Sequence, residues 1–344
     1  MSDKKKKVAQ LIIFLGLGVF FIWFSIKDLD AAQRTSIIES IKSVAIGYRW
    51  VFLVLSALIA ILSVYIRALR SILLLEPLGY KVSKINSYHS IMVCYIANIA
   101  FPRLGELLRC TFIQRYEKVP FQKTFGTVIT ERVVDMLSFG LVFLLALFFE
   151  SDKILAIFEN KTASTSNSFL SNPMFVVFLG VLFLVLTFLI FRKYICKWKI
   201  YHKIKQLLAG FWSGLISVIH LKKPFLFIFY TLMIWVCYYF MFYVAILAFP
   251  DIYFLGNQLW AASLSCVAIG TIGFIVSQGG LGAYPLLIAN VLLLYSINKE
   301  FGLAIGWVVW TTETILYVAG GIISLAIAPF TNPKKNTYEQ LTEN

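Results

Sequence analysis

Long apolar runs separated by short polar segments repeat along the whole chain. Each run has roughly 17 to 26 residues, about the length that a helix needs to cross a ~30 Å hydrocarbon core. The runs cover residues 8–26, 50–75, 86–101, 124–149, 173–191, 224–249, 257–277, 280–297 and 301–329. The pattern predicts an all-α, polytopic helical membrane protein with about eight spans. We expect a single transmembrane domain at 1–330 and a short polar cytoplasmic tail at 331–344.

The composition excludes a water-soluble protein of this length. Of the 344 residues, 60% are hydrophobic and 14% are charged, and the mean hydropathy is +0.82, unlike any soluble domain. The formal net charge of +14 reflects basic residues in short loops, where they face anionic headgroups. Membrane lipids are therefore the expected partners. Nucleic acid is not, because no domain presents these bases to it.

Loop charge predicts the orientation of the chain. The sequence KKKK at residues 4–7 precedes the first run, which is too long for a signal peptide and lacks a small-residue cleavage site. We interpret it as an uncleaved span with a cytoplasmic N-terminus. Segment 192–223 has eight Lys or Arg residues and no acid, so it should be cytoplasmic, and Lys334 and Lys335 place the C-terminus on the same side. The predicted location is the cytoplasmic (inner) membrane.

A first helix break is predicted in NIAFPRLGELLR, residues 98–109. Charges on both sides of the preceding apolar run belong to the cytoplasmic face, so this part of the chain should enter and return as a re-entrant pair of short helices. Pro102 and Gly105 should break the pair. Lys84 and Arg109 should then both face the cytoplasm. Broken backbone at membrane depth survives only where protein or a watery cavity satisfies it, which points to an internal site.

A second break is predicted in SQGGLGAYP, residues 277–285, at Gly279, Gly280 and Gly282. Span parity leaves two alternatives: residues 257–297 cross twice, or they form a hairpin that dips from the outside. The second alternative would mirror the first break and produce an inverted repeat with a site near the midplane.

Ionisable residues inside the apolar runs indicate that site. Glu131 and Asp135 are four residues apart and share a helix face, where two carboxylates repel unless cations lie between them or one carries a proton. The nearest candidates are Arg103, Arg109 and Arg132, while Glu313 must find a partner across the bundle. We interpret five arginines as ligands of a lipid phosphate: Arg67, Arg70, Arg103, Arg109 and Arg132. Five residues form the supporting polar network: Asn98, Glu106, Glu131, Asp135 and Glu313.

Two other interpretations of these residues stay open. The charges can form a buried ion network that only fixes helix register, and Arg67 and Arg70 can extend to the headgroups at the end of their span. The Cys and His residues are scattered without metal-ligand spacing, so no metal or cofactor is expected.

Four segments carry a family resemblance: RALR at 67–70, NIAFPRLGELLR, TERVVDML at 130–137 and QGGLGAY at 278–284. With them the chain resembles, over nearly its whole length, the transmembrane flippase-like region of lysylphosphatidylglycerol synthases and related stand-alone proteins. The resemblance implies a multi-span fold with re-entrant helices that moves a charged lipid or lipid-linked sugar between leaflets. Family members often have a glutamate where this chain has Tyr284. No aminoacyl-transfer domain follows, so synthase activity is not implied.

The sequence therefore predicts a flippase-like lipid transporter that is not an enzyme, acting on an anionic phospholipid or a polyprenyl-phosphate-linked lipid. One alternative is a membrane-embedded lipid-modifying transferase, although no nucleophile, metal or nucleotide motif supports it. Another is a non-catalytic partner of a lipid-synthesis enzyme. The sequence has no P-loop, and its membrane carboxylates leave proton coupling open.

Overall fold

The computed structural model describes residues 31–45, 48–101, 104–159 and 221–332. Within these ranges the chain forms nine α-helices, three 3-10 helices and no strand, so the predicted all-α class is confirmed. The α-helices are α1 (Ala31–Ala45), α2 (Trp50–Leu75), α3 (Lys84–Ala100), α4 (Leu104–Glu117), α5 (Phe121–Glu159), α6 (Pro224–Ile246), α7 (Leu259–Val276), α8 (Ala283–Leu293) and α9 (Lys299–Thr331). The 3-10 helices are Glu76–Leu78, Pro250–Gln258 and Gln278–Gly280.

Five stretches of the described chain are long and apolar enough to cross a membrane. They are Trp50–Leu78, Phe121–Glu150, Pro224–Ile246, Pro250–Val276 and Lys299–Thr331. Large apolar side chains such as Met136, Phe148 and Phe225 are 68%, 81% and 86% exposed, a surface that suits lipid and not water. The prediction of a polytopic membrane protein is confirmed. The predicted runs 8–26 and 173–191, the basic segment before residue 221 and the tail after residue 332 lie outside the described residues.

Helices α3 and α4 form the first hairpin, with 17 and 14 residues. Neither is much longer than about 25 Å, short of a full crossing. A hydrogen bond joins the two ends of the hairpin that lie away from the turn. There, Glu117 at the end of α4 accepts from the backbone N–H of Ser83, just before α3, at 3.1 Å. The two ends therefore lie on the same side of the molecule, as a re-entrant pair requires.

Gly105 does not have its predicted role, which was to break a helix. It lies in the first turn of α4, and a Cβ atom there would lie 2.1 Å from the carbonyl oxygen of Cys94 on α3. This glycine allows two helices to approach closely and does not interrupt one. Pro102, the other predicted breaking residue, lies outside the described residues.

Helices α7 and α8 form the second hairpin. Gly279, Gly280 and Gly282 between them have φ of 59°, 78° and 72°, in the left-handed region that only glycine adopts readily. Helix α8 has 11 residues, about 16 Å, or roughly half of the hydrocarbon core. This length favours the hairpin over two complete crossings.

Helix α9 packs against both hairpins. A Cβ atom at Gly306 would lie 2.6 Å from Cα of Pro285 on α8, and one at Gly321 would lie 2.6 Å from Cβ of Ile96 on α3. The first half of α9 therefore contacts one hairpin and the second half contacts the other, so the hairpins enter from opposite ends of the bundle. Their tips meet where Ile99 faces Gly279. An inverted repeat would have this arrangement, and the repeat itself stays a prediction.

Candidate functional site

Seven charged side chains from three helices lie together beside the first hairpin. We call them the arginine–carboxylate cluster. Its members are Arg67 and Arg70 on α2, Glu106 and Arg109 on α4, and Glu131, Arg132 and Asp135 on α5. Three of the helical pairs, Arg67 with Arg70, Glu106 with Arg109, and Glu131 with Asp135, are three or four residues apart, which places each pair on one helical face. Arg132 follows Glu131 directly. The structure brings these predicted residues together as three neighbouring groups of ion pairs.

Asp135 joins the two arginines of α2. Its Oδ2 accepts from Nη1 of Arg67 at 3.0 Å, and its Oδ1 accepts from Nη1 of Arg70 at 2.7 Å. Arg67 also donates to the Tyr238 hydroxyl of α6 at 2.6 Å. The two arginine side chains are 8% and 0% exposed, so they do not extend to the headgroups. Sequence spacing had placed Arg103, Arg109 and Arg132 as the nearest partners for this carboxylate.

Arg109 and Glu131 form a separate, closed pair. Both terminal nitrogens of Arg109 donate to the two carboxylate oxygens, at 2.9 and 2.8 Å, and Nη2 also donates to the Ser71 hydroxyl at 2.6 Å. Both side chains are buried. The predicted partnership is present, and Arg109 is buried because a carboxylate on α5 draws this side chain into the bundle. The membrane side that this end of α4 faces stays a prediction.

The third pair borders the surface. Arg132, whose side chain is 44% exposed, donates to Glu106 at 2.9 Å. Asn98 on α3 donates to the same carboxylate oxygen at 3.4 Å and accepts from the backbone N–H of Gly105 at 2.8 Å. Asn98 thus joins α3 to the first turn of α4. The cluster is closed by Arg109 on one side and reaches the surface through Arg132 on the other.

Several buried donors of the cluster have no hydrogen-bond partner among the described residues. They are Nε and Nη2 of Arg70, Nε of Arg67 and Nε of Arg109. The Arg70 pair matters most, because Nε and Nη2 form one planar edge that can grip two oxygens of an anion. Unsatisfied buried donors are uncommon in folded proteins and call for a ligand or an ordered water.

Other predicted residues lie elsewhere. Arg103 falls outside the described residues. Glu313 is buried on α9, and the partner that the sequence predicts for it is not found within the described chain. Tyr284 is buried and packs on Phe274, with ring centroids 5.0 Å apart.

Sequence reasoning missed three hydroxyl groups that bond to the cluster: Ser71, Thr231 and Tyr238. Ser71 could have been found, because it lies four residues after Arg67 and so shares its helical face. Thr231 and Tyr238 lie in an apolar run on α6, where no spacing relates them to a charged residue on another helix.

The family model of the lysylphosphatidylglycerol synthase TM region matches residues 8–321. The chain belongs to this family. The lysylphosphatidylglycerol synthase TM region is a membrane module related to lipids, so membership supports a multi-pass membrane protein that works with lipids. No curated protein and no solved structure gives a significant match.

Three of the four segments that resemble the lysylphosphatidylglycerol synthase TM family meet in space. These three, at 67–70, 98–109 and 130–137, supply every charged residue of the arginine–carboxylate cluster. The fourth, at 278–284, forms the tip of the second hairpin. The motifs therefore mark one charged cluster and one helix break.

Proposed function

We propose that this protein transports a phosphate-bearing lipid between the leaflets of the cytoplasmic membrane and that the arginine–carboxylate cluster binds the lipid's phosphate. Family membership supports a membrane protein that handles lipids. The finer assignment, to a transporter that does not change the lipid chemically, is supported by the geometry of the cluster.

The observation that carries the proposal is the free edge of Arg70. Its Nη1 donates to Asp135 and to the Thr231 hydroxyl, at 2.7 and 3.3 Å. Asp135 and Thr231 therefore fix the guanidinium plane, while Nε and Nη2 are left without a partner in a side chain that is 0% exposed. A fixed, buried fork suits the paired oxygens of a phosphate, and a lysine could not replace it.

The charge of the cluster supports an anionic ligand. Four arginines face three carboxylates, Glu106, Glu131 and Asp135, which leaves one positive charge in excess. Buried charges need partners, and a lipid phosphate would supply the missing negative charge. The carboxylates then hold the arginines in place, and Arg109, with both terminal nitrogens on Glu131, fixes the site and does not bind the ligand.

The surface next to the cluster suits the rest of a lipid. Arg132 is 44% exposed, and Met136, one turn along the same face of α5, is 68% exposed. Phe139 and Phe143, both half-buried, continue an apolar surface along the same face. A headgroup that enters past Arg132 would leave its acyl chains against this surface, in contact with the bilayer.

The test is lipid translocation in vesicles that contain the purified protein. Phosphatidylglycerol with a fluorescent acyl chain is added to one leaflet, and its arrival in the other is followed with an impermeant quencher. A second series uses a fluorescent short-chain polyprenyl phosphate. We expect Arg70→Lys to fold normally and to lose at least about tenfold in rate, because the lysine keeps the charge but not the fork. Arg115→Lys, on the exposed end of α4, is the matched control.

Two outcomes would contradict the proposal. Translocation of both lipids at the parent rate by Arg70→Lys would show that the free edge is not the binding site. A new covalent lipid product in mass spectra of the same vesicles would instead favour a transferase.

A further inference from the structure

Glu313 lies where the two hairpins meet. It is on α9 between Gly306, which packs on α8, and Gly321, which packs on α3. One turn earlier, the indole N–H of Trp310 donates to the carbonyl oxygen of Gly279 at 2.7 Å. Gly279 in turn faces Ile99 at the end of α3. Glu313 therefore lies at about the same depth in the bundle as the contact between the two hairpin tips.

Among the described residues, which do not include Arg103, no cation pairs with Glu313. The residue is 7% exposed and has no hydrogen bond or ion pair with any described residue. The titratable groups that interact electrostatically with Glu313 are Tyr284 on α8 and Tyr317 on α9. Tyr284 also interacts with Cys266 of α7, and Tyr317 with Tyr95 of α3, Tyr238 of α6 and Arg67 of α2. A carboxylate ion without a partner is unfavourable in such a place, whereas a neutral carboxyl group is tolerated.

Tyr317 and Tyr95 pack together near Glu313, and Tyr238 bonds to the arginine–carboxylate cluster. Tyr317 follows Glu313 by one turn, and its ring lies 4.6 Å from that of Tyr95 on α3, centroid to centroid. Tyr95 and Tyr238 both lie within electrostatic range of Arg67, and the Tyr238 hydroxyl accepts from that arginine at 2.6 Å.

We propose that Glu313 is a proton-binding site whose occupancy sets whether the two hairpin tips stay together. With a proton bound, the neutral side chain fits the dry contact between the tips. When the proton leaves to water, the carboxylate that remains needs hydration, and the tips separate to admit it. The proton comes from bulk water and returns to it. The inference rests on the proposed function only in naming a lipid as the transported molecule.

The first test measures the distance between the tips without any lipid substrate. Spin labels are placed in a cysteine-free background at Phe101 and Val276, next to the two tips and 40% and 51% exposed. Pulsed electron paramagnetic resonance then measures the distance between the two labels at several pH values. In the parent protein, we expect the fraction of molecules with the longer label separation to at least double above neutral pH. Glu313→Gln, which mimics the protonated form, should keep the short separation throughout. Glu300→Gln, in the first turn of α9, is the control.

The second test identifies the proton directly. Infrared difference spectra between acid and alkaline samples should contain a carboxylic acid C=O band that Glu313→Gln lacks and Glu300→Gln keeps. If Glu313→Gln does not fold, Glu313→Asp replaces it and should shift the pH midpoint of the separation. A folded Glu313→Asp protein with the parent midpoint would overturn the proposal.

Two further results would also overturn it. One is the same pH response in the parent and in Glu313→Gln. The other is a response of the separation to sodium at constant pH, which would make Glu313 a metal-cation site. Failure of the proposed function looks different: no variant would translocate lipid, while the label separation would still follow pH through Glu313.

Discussion

Arg109 and Glu131 face each other through two nearly equal hydrogen bonds, 2.9 and 2.8 Å long, with both side chains buried. Arg109 comes from the first hairpin and Glu131 from a membrane-spanning helix, and Ser71 of α2 bonds to the same guanidinium group at 2.6 Å. One arginine thus fixes the positions of three helices. Since both carboxylate oxygens are used, this pair has a structural role that the Arg70 edge does not share.

Breaking this pair should destabilise the protein without a specific loss of lipid binding. Removal of one partner leaves a buried charge uncompensated, so Arg109→Met or Glu131→Leu alone should lower the free energy of unfolding by about 3–5 kcal/mol. The double change should recover most of that loss. Thermal unfolding in detergent measures all three variants. Single variants as stable as the parent would show that the pair is not closed as described.

Gly105→Ala tests the close contact inside the first hairpin. The added Cβ would lie 2.1 Å from the Cys94 carbonyl oxygen and 2.6 Å from Oδ1 of Asn98, so α3 and α4 must separate. We expect a loss of stability of about 1–3 kcal/mol, as for overpacked cores, together with reduced transport. Unfolding in detergent and translocation in vesicles are measured on the same preparation.

Gly140→Ala is the matched control for that substitution. It lies inside α5 with nothing within 4 Å of the added Cβ, and alanine favours a helix over glycine by about 1 kcal/mol. It should therefore be neutral or slightly stabilising. Equal effects of Gly105→Ala and Gly140→Ala would mean that helix propensity, and not the contact with α3, governs both.

Much of the fold follows from the apolar pattern, because the bilayer imposes a length. The predicted run 50–75 coincides with α2, and a helix ends at Ala100, just before Pro102 in the sequence. The role of Gly105 could not be predicted in the same way. A glycine near a proline looks the same in sequence whether it bends the chain or admits a neighbouring helix, and only the position of Cys94 decides between them.

The sequence predicted which residues belong to the candidate site better than it predicted which of them form ion pairs. The spacing of Glu131 and Asp135 predicts their common face. Which arginines meet them depends on how distant segments pack, and Asp135 bonds to Arg67 and Arg70, 68 and 65 positions earlier in the chain. No periodicity carries that information.

The topology prediction can now be tested at better positions. Lys84 is exposed at the start of α3 and Lys118 is exposed just after α4, whereas Arg109 is buried and would not react. Single cysteines at 84 and 118 in a cysteine-free background should both be labelled by an impermeant thiol reagent in inverted vesicles and neither in intact cells. Labelling from opposite sides would show that α3 and α4 together cross the membrane.

Replacing Trp310 with phenylalanine tests the connection between α9 and the tip of the second hairpin. The change keeps an aromatic ring but removes the N–H that donates to the Gly279 carbonyl oxygen at 2.7 Å. A hydrogen bond of this kind contributes about 1 kcal/mol, so stability should fall by that amount and amide exchange should accelerate in the peptide that contains Gly279.

Trp235→Phe is the control, because the buried indole N–H of Trp235 has no partner among the described residues and its loss breaks no hydrogen bond. Both substitutions replace a half-buried indole with the same smaller ring, so the difference between them reports the bond. Faster exchange near Gly279 in both variants, or in neither, would show that the bond does not hold the tip.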